Sequence, residues 1–139
     1  MISGVSTASL VMREMNEDAL TVLGGLGVKS TEIFLTTLSE YGEDFARLLA
    51  ARRGKLLVNS VHLLNTQFEP QLFGSHPRAK KDAFDILRRA MASAQIFGAK
   101  NYTFHGITRL KKNSVPPDAG KLAANFSEIS AACAEYGVT

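Results

Sequence analysis

The sequence predicts an α/β fold built on one parallel sheet. Three observations point there. Short β-prone runs alternate with amphipathic helical segments four times over, giving the order β-α-β-α-β-α-β-α. Strict alternation of this kind implies parallel strands joined by right-handed crossovers. The helical segments stop at Gly27, Gly54, Gly98 and Gly137, each marking a return towards the sheet. Finally, 139 residues, 45% of them hydrophobic and 21% charged, supply a respectable core for a single domain over 1–139.

The first strand is expected over about 2–6, a β-prone run punctuated by Gly4. Asn16 is placed to cap the helix that follows, with Glu17 and Asp18 facing the positive end of its dipole. Ala19, Leu20, Leu23 and Leu26 then recur at helical spacing. Gly24 and Gly25 weaken this helix and favour a short one, or one packed closely on the sheet. The run Thr31-Glu32-Ile33-Phe34-Leu35 predicts a second strand over 31–35. A second helix from about Glu43 to Arg53 turns Phe45, Leu48 and Leu49 inward.

The third strand, over 56–62, ends in Ser60-Val61-His62. After a long loop, Ser75 and Pro77 signal the start of a helix over roughly Arg78 to Phe97. Ala83, Phe84, Leu87, Ala90, Met91 and Ala94 form its apolar stripe. The fourth strand, over 101–105, ends in His105. A polar, basic loop from Thr108 to Pro117 carries Arg109, Lys111 and Lys112. The last helix, about Asp118 to Tyr136, aligns Leu122, Phe126, Ile129, Cys133 and Tyr136, and Val138-Thr139 read as the start of a further strand. A closed (β/α)8 barrel takes roughly 250 residues, so these are four consecutive β-α units of one, a half-barrel.

Composition narrows the function. A net charge of +3, with basic and acidic residues interspersed, argues against a dedicated nucleic-acid binder, which carries a basic face. A single cysteine, Cys133, excludes an intramolecular disulfide framework and points to a reducing compartment. The opening residues lack the basic start and apolar run of a signal peptide, and no stretch approaches the roughly 20 apolar residues of a membrane span. A cytoplasmic protein with no membrane partner is therefore expected. There is no P-loop, no glycine-rich dinucleotide fingerprint and no nucleophile elbow.

Four stretches carry a family likeness: Thr31-Glu32-Ile33-Phe34-Leu35, Ser60-Val61-His62, Ile96-Phe97-Gly98-Ala99-Lys100 and Phe104-His105-Gly106. With Glu135-Tyr136-Gly137-Val138-Thr139 leading into a fifth strand, the sequence resembles the N-terminal half of the xylose-isomerase-like TIM barrels. That superfamily includes the sugar phosphate isomerases/epimerases and endonuclease IV. The resemblance implies strand ends that bind a divalent metal and handle a sugar or phosphate. His62 and His105 match the histidines that end strands three and four. In the endonuclease branch both belong to a multi-zinc cluster. In the sugar isomerases the ligands come mainly from strands five to eight, beyond the four units read here.

The implied activity is that of part of a sugar phosphate isomerase/epimerase, acting on a sugar or sugar-derived polyol with Mn, Zn, Mg or Co. The metal would act as Lewis acid while an acid/base pair moves a proton beside the carbonyl. Two alternatives stand beside it: an endonuclease IV-like zinc-dependent phosphodiester hydrolase, and a non-catalytic half-barrel. By itself the chain would leave an open sheet edge, so a homo-oligomer is expected.

The candidate residues follow from position. Parallel strands joined by a helix bring their C-terminal ends to one side of the sheet, where ligands of such folds bind. His62 and His105 should therefore lie close together. They are read either as metal ligands, needing at least one more protein group, or as groups that hydrogen-bond within the barrel mouth or to substrate hydroxyls. Glu32, a carboxylate inside a β-run, is a candidate acid/base or binding group, or else a structural ion-pair partner. In the loop after strand three, Phe68, Glu69, Phe73, His76 and Arg78 are placed to build a pocket. Phe68 would pack on a sugar face and Arg78 would meet an anion near a helix N-terminus. Arg109, Lys111 and Lys112 read as a solvated loop rather than a phosphate site.

Overall fold

The computed structural model describes residues 2–64, 68–106 and 118–139. Arg109, Lys111 and Lys112 lie outside the described residues. Four parallel strands form one sheet in the order β1 (Gly4–Ser6), β2 (Ser30–Leu35), β3 (Leu57–Leu63) and β4 (Asn101–Thr103). Between and after them run α1 (Asn16–Gly25), α2 (Glu43–Arg52), α3 (Glu69–Leu72), α4 (Pro77–Phe97) and α5 (Ala119–Ala134). Sequential neighbours pair throughout, so the sheet grows by one strand per β-α unit, as half of a (β/α)8 barrel does.

Strands and helices fall where their patterning puts them, with differences at the ends. β1 and β4 are three residues each, shorter than their apolar runs. Gly4 has a steric role: a Cβ there would come within 2.9 Å of the Ser30 carbonyl oxygen, so β1 and β2 approach too closely for a side chain. Two 3-10 turns, Thr7–Leu10 and Leu38–Tyr41, and the single turn α3 fill segments read as loop.

Asn16 does not cap α1. It is the first helical residue, and its amide donates to the Phe34 carbonyl (2.8 Å) and Glu40 Oε1 (3.0 Å) while its oxygen accepts from Thr7 Oγ1. A tertiary tie between three segments has displaced a local cap. α4 is capped by His76, whose ring accepts from the Ala79 amide, and not by Ser75. In α2 the buried residues are Ala46 and Leu49, whereas Leu48 is exposed and Phe45 only half-buried.

The core lies between the sheet and the helices. Ile33, Leu35, Val61 and Leu63 are fully buried with α4's Leu87, Ala90, Met91, Ala94 and Phe97 in one cluster. α4 ends at Gly98, which takes φ 88°, a left-handed conformation that lets the amide of Gly98 close back on Ala94. Its reversal delivers Ala99 and Lys100 to β4.

Two register features position the site. β2 and β3 pair Thr31 with Val58 but Glu32 with Ser60, so Asn59 is an extra residue, a bulge. Asn59 is held by its carbonyl, which accepts from the Lys100 amide and the Asn101 side chain. On the far side of β4, the Thr139 amide donates to the Lys100 carbonyl and the Tyr102 amide to the Thr139 carbonyl. Thr139 thus pairs with β4 in the parallel sense, as the start of a fifth strand should.

Candidate functional site

Side chains of successive strand residues alternate between faces, so Ser60 and His62 share a face of β3, while His105 follows Thr103 by two, just past the end of β4. Glu32, on β2, lies beside the β3 row, and its carboxylate reaches residues of both strands. Its carboxylate accepts hydrogen bonds from Ser6 Oγ (2.8 Å), Ser60 Oγ (3.1 Å) and Thr103 Oγ1 (2.6 Å), one hydroxyl from each of the other three strands. Burial pushes the Glu32 carboxyl up, but these hydroxyls and the neighbouring His62 outweigh it and hold the group below its ordinary 4.5. Glu32 is therefore a well hydrogen-bonded carboxylate anchored on the sheet.

A chain of contacts leads on from it. His62 Nδ1 lies 3.4 Å from Glu32 Oε1, and His62 Nε2 lies 3.0 Å from His105 Nε2. His105 Nδ1 lies 3.2 Å from Glu69 Oε2, and the His105 backbone amide donates to that same oxygen. The Tyr102 hydroxyl donates to the other oxygen, Oε1. Two imidazoles are thus bracketed by two carboxylates, one on the open face of the sheet and one fully buried in α3. Burial and the Glu69 carboxylate push the Tyr102 phenol far up, so it stays a donor.

Aromatic packing holds this edge in place. Phe34 lies against His62 with ring centroids 4.6 Å apart. Phe73, Phe104 and Phe126 form a mutual cluster with centroids 5.3–5.9 Å apart, tying the loop after β3 and α5 to the end of β4.

Of the residues expected at the site, Glu32, His62 and His105 come together. Phe68 does not join them: it is fully buried and packs edge-on against Tyr41 in the core, with no face turned outward for a sugar. Arg78 is exposed in the first turn of α4, with no ion pair or hydrogen bond to the histidine cluster among the described residues. Cys133 is packing, as its place on the apolar face of α5 suggests, and burial pushes its thiol up to about 11.

The structure adds Tyr102 and the three hydroxyls, and it places Glu69, expected only as one residue of the pocket loop, directly against His105. The hydroxyls carried a signal, since Ser60 and Thr103 each precede a strand-ending histidine by two. Glu69 carried one as well: a carboxylate between Phe68 and Pro70, just before Leu72, is expensive to bury without partners.

As a metal centre the site is incomplete within the described chain. Two imidazole nitrogens 3.0 Å apart suit neighbouring positions on one divalent ion with ligands at about 2.1 Å. Among the described residues, no group of three histidine, cysteine or carboxylate side chains forms a metal site. No helix among them is long and apolar enough to cross a membrane.

No protein-family model and no curated protein sequence matches the chain. Solved structures do. The chain is similar to D-psicose 3-epimerase from Clostridium cellulolyticum H10 crystallised with D-tagatose, with a TM-score of 0.74 at 14% identity over 99% of this chain and 50% of that one. It is similar to a D-tagatose 3-epimerase-like protein, with a TM-score of 0.71 at 18% identity, over 100% of this chain and 51% of that one. A xylose isomerase domain protein from Planctomyces limnophilus aligns with a TM-score of 0.67 at 14% identity, over 98% and 51%. The chain spans about half the length of the structures it matches, and at these identities the likeness is one of fold. The four parallel β-α units thus have the fold of half of a (β/α)8 barrel of the kind seen in these isomerase- and epimerase-like structures.

Proposed function

We propose that the chain forms one wall of the active site of a sugar isomerase or epimerase, acting on a sugar, sugar phosphate or sugar-derived polyol. The observation that carries this reading is the row Glu32–His62–His105–Glu69 at the C-terminal edge of the sheet. It places charged and uncharged hydrogen-bonding groups side by side where ligands of parallel barrels bind. Adjacent hydroxyl and carbonyl oxygens of a sugar match such a row, each meeting a donor or an acceptor. The epimerase and isomerase names among the structural neighbours support the same class.

In this reading Glu32, His62 and His105 bind and orient the substrate. Glu32 is ionised near neutrality, so it accepts from a substrate hydroxyl or takes up a proton. The two histidines are the chain's candidate ligands for a divalent metal, which supplies Lewis-acid stabilisation of negative charge on the substrate when bound. Further donors have to come from outside the described residues. A reducing, cytoplasmic setting belongs to the same proposal, on the strength of the single cysteine.

Nuclear magnetic resonance tests this directly. Sub-stoichiometric Mn2+ should first broaden signals around His62 and His105, and added D-tagatose or D-fructose should shift those of Glu32, Ser60 and the same histidines. Combined His62→Ala and His105→Ala substitution should abolish the localised broadening. Broadening centred elsewhere, or sugar-induced shifts scattered over the helices, overturns the proposal.

A further inference from the structure

The histidine pair poses a question of donors and acceptors. A neutral imidazole has one N–H and one lone pair, so a 3.0 Å contact between two Nε2 atoms needs a hydrogen on one of them. Glu69 decides which. Its Oε2 already accepts the His105 backbone amide and lies 3.2 Å from the ring Nδ1, and its Oε1 accepts the Tyr102 hydroxyl. The Glu69 side chain is fully buried, out of reach of bulk solvent. A buried carboxylate in that position stabilises an N–H at Nδ1 and repels a lone pair there.

From this geometry we infer that Glu69 is a positioning residue: it fixes His105 as the Nδ1–H tautomer, making His105 Nε2 the acceptor and His62 Nε2 the donor of the histidine pair. The inference rests on the proposed function only for its use. In the metal-free chain the row has a built-in polarity, with His105 offering a lone pair and His62 an N–H. Glu32 holds three hydroxyls and lies farther from His62, at 3.4 Å, so it constrains that ring less.

The same environment explains why the carboxylate comes from a loop turn and not from a strand. α3 brings Glu69 under β4 from the helix side, where Tyr102 and the amide of His105 both point donors at it. Among the described residues, the groups that Glu69 accepts from thus belong to β4 or to the residues just after it.

Imidazole 15N chemical shifts of the metal-free, sugar-free chain separate protonated from unprotonated ring nitrogens. The expected result is a protonated Nδ1 and an unprotonated Nε2 at His105. Glu69→Leu combined with Tyr102→Phe, which removes the buried carboxylate and the hydroxyl together, should move the hydrogen on His105 towards Nε2. Glu69→Gln should retain the parent tautomer, because its carbonyl oxygen can still accept both His105 N–H groups. Tyr102→Phe alone should also leave it unchanged. A His105 bearing its hydrogen on Nε2 in the parent overturns the inference without any variant, and so does an unchanged tautomer in a folded Glu69→Leu/Tyr102→Phe protein. Because no sugar or metal is present, failure here is distinct from failure of the proposed function.

Discussion

Glu32 accepts hydrogen bonds from a hydroxyl on each of the other three strands, and this has a consequence in acid. Its carboxyl is held below its ordinary 4.5, so the folded state binds its proton less readily than the unfolded state does. The stabilisation is fully present above pH 4.5 and is lost as pH falls through the lower folded value. Denaturant titrations from neutral pH into acid should show this loss in the parent, whereas Glu32→Gln should flatten that part of the profile. An equally steep acid limb in Glu32→Gln would show that other carboxylates carry it. At this scale the sequence was partly legible. A carboxylate inside a β-run and two strand-ending histidines announce themselves, because each is out of place in an apolar pattern. Phe68 misled because its loop position suggested exposure, whereas tertiary closure folds the loop over and buries the ring against Tyr41.

Helices and strands obey their own periodicities, which is why α4 was readable along almost its whole length. Leu87, Met91 and Ala94 are spaced to share one face, and all are fully buried. Its end is set by conformation: Gly98 at φ 88° has open space around its Cα, so only the backbone geometry resists a side chain. Gly98→Ala should destabilise the protein by about 1–2 kcal/mol, the cost of a left-handed residue with a Cβ. Gly4→Ala acts differently, since its Cβ would press on the backbone of Ser30 and part β1 from β2. Chemical denaturation of both variants checks this, together with amide exchange in β1. Gly98→Ala should leave β1 protection intact relative to global stability, whereas Gly4→Ala should weaken it selectively. What could not be read locally was the start of α1, because Asn16 is drawn to the distant Phe34 and Glu40 instead of serving as a local cap.

At the scale of the molecule, one face of the sheet is sealed by helices and the other is half of an enclosure. Leu57 is 53% exposed and Val5 38%, and both line a groove of about 370 Å3 beside Ser6, Glu32 and Ser60. Exposed apolar side chains around a charged centre favour association. We therefore expect the 139-residue chain to self-associate, and light scattering after size-exclusion chromatography should give the mass of a dimer. A monomer at high concentration would refute this. The half-barrel was legible from alternation alone, because each unit repeats one structural rule. The site's completeness was not, because a barrel gathers its functional groups from units distant in sequence.

The bulge at Asn59 ties these scales together. A strand is a two-stroke cycle, and one surplus residue advances its phase by half a turn. Before Asn59, Val58 points into the core; after it, Val61 and Leu63 do, leaving Ser60 and His62 for the open face. Without that half-step the cycle would run out of phase, sending His62 among the helices and Val61 to meet the ligand. The histidine's availability thus depends on the parity of a count upstream of it. Two related chains whose third strands differ by one residue at this point would present opposite faces, however similar their letters.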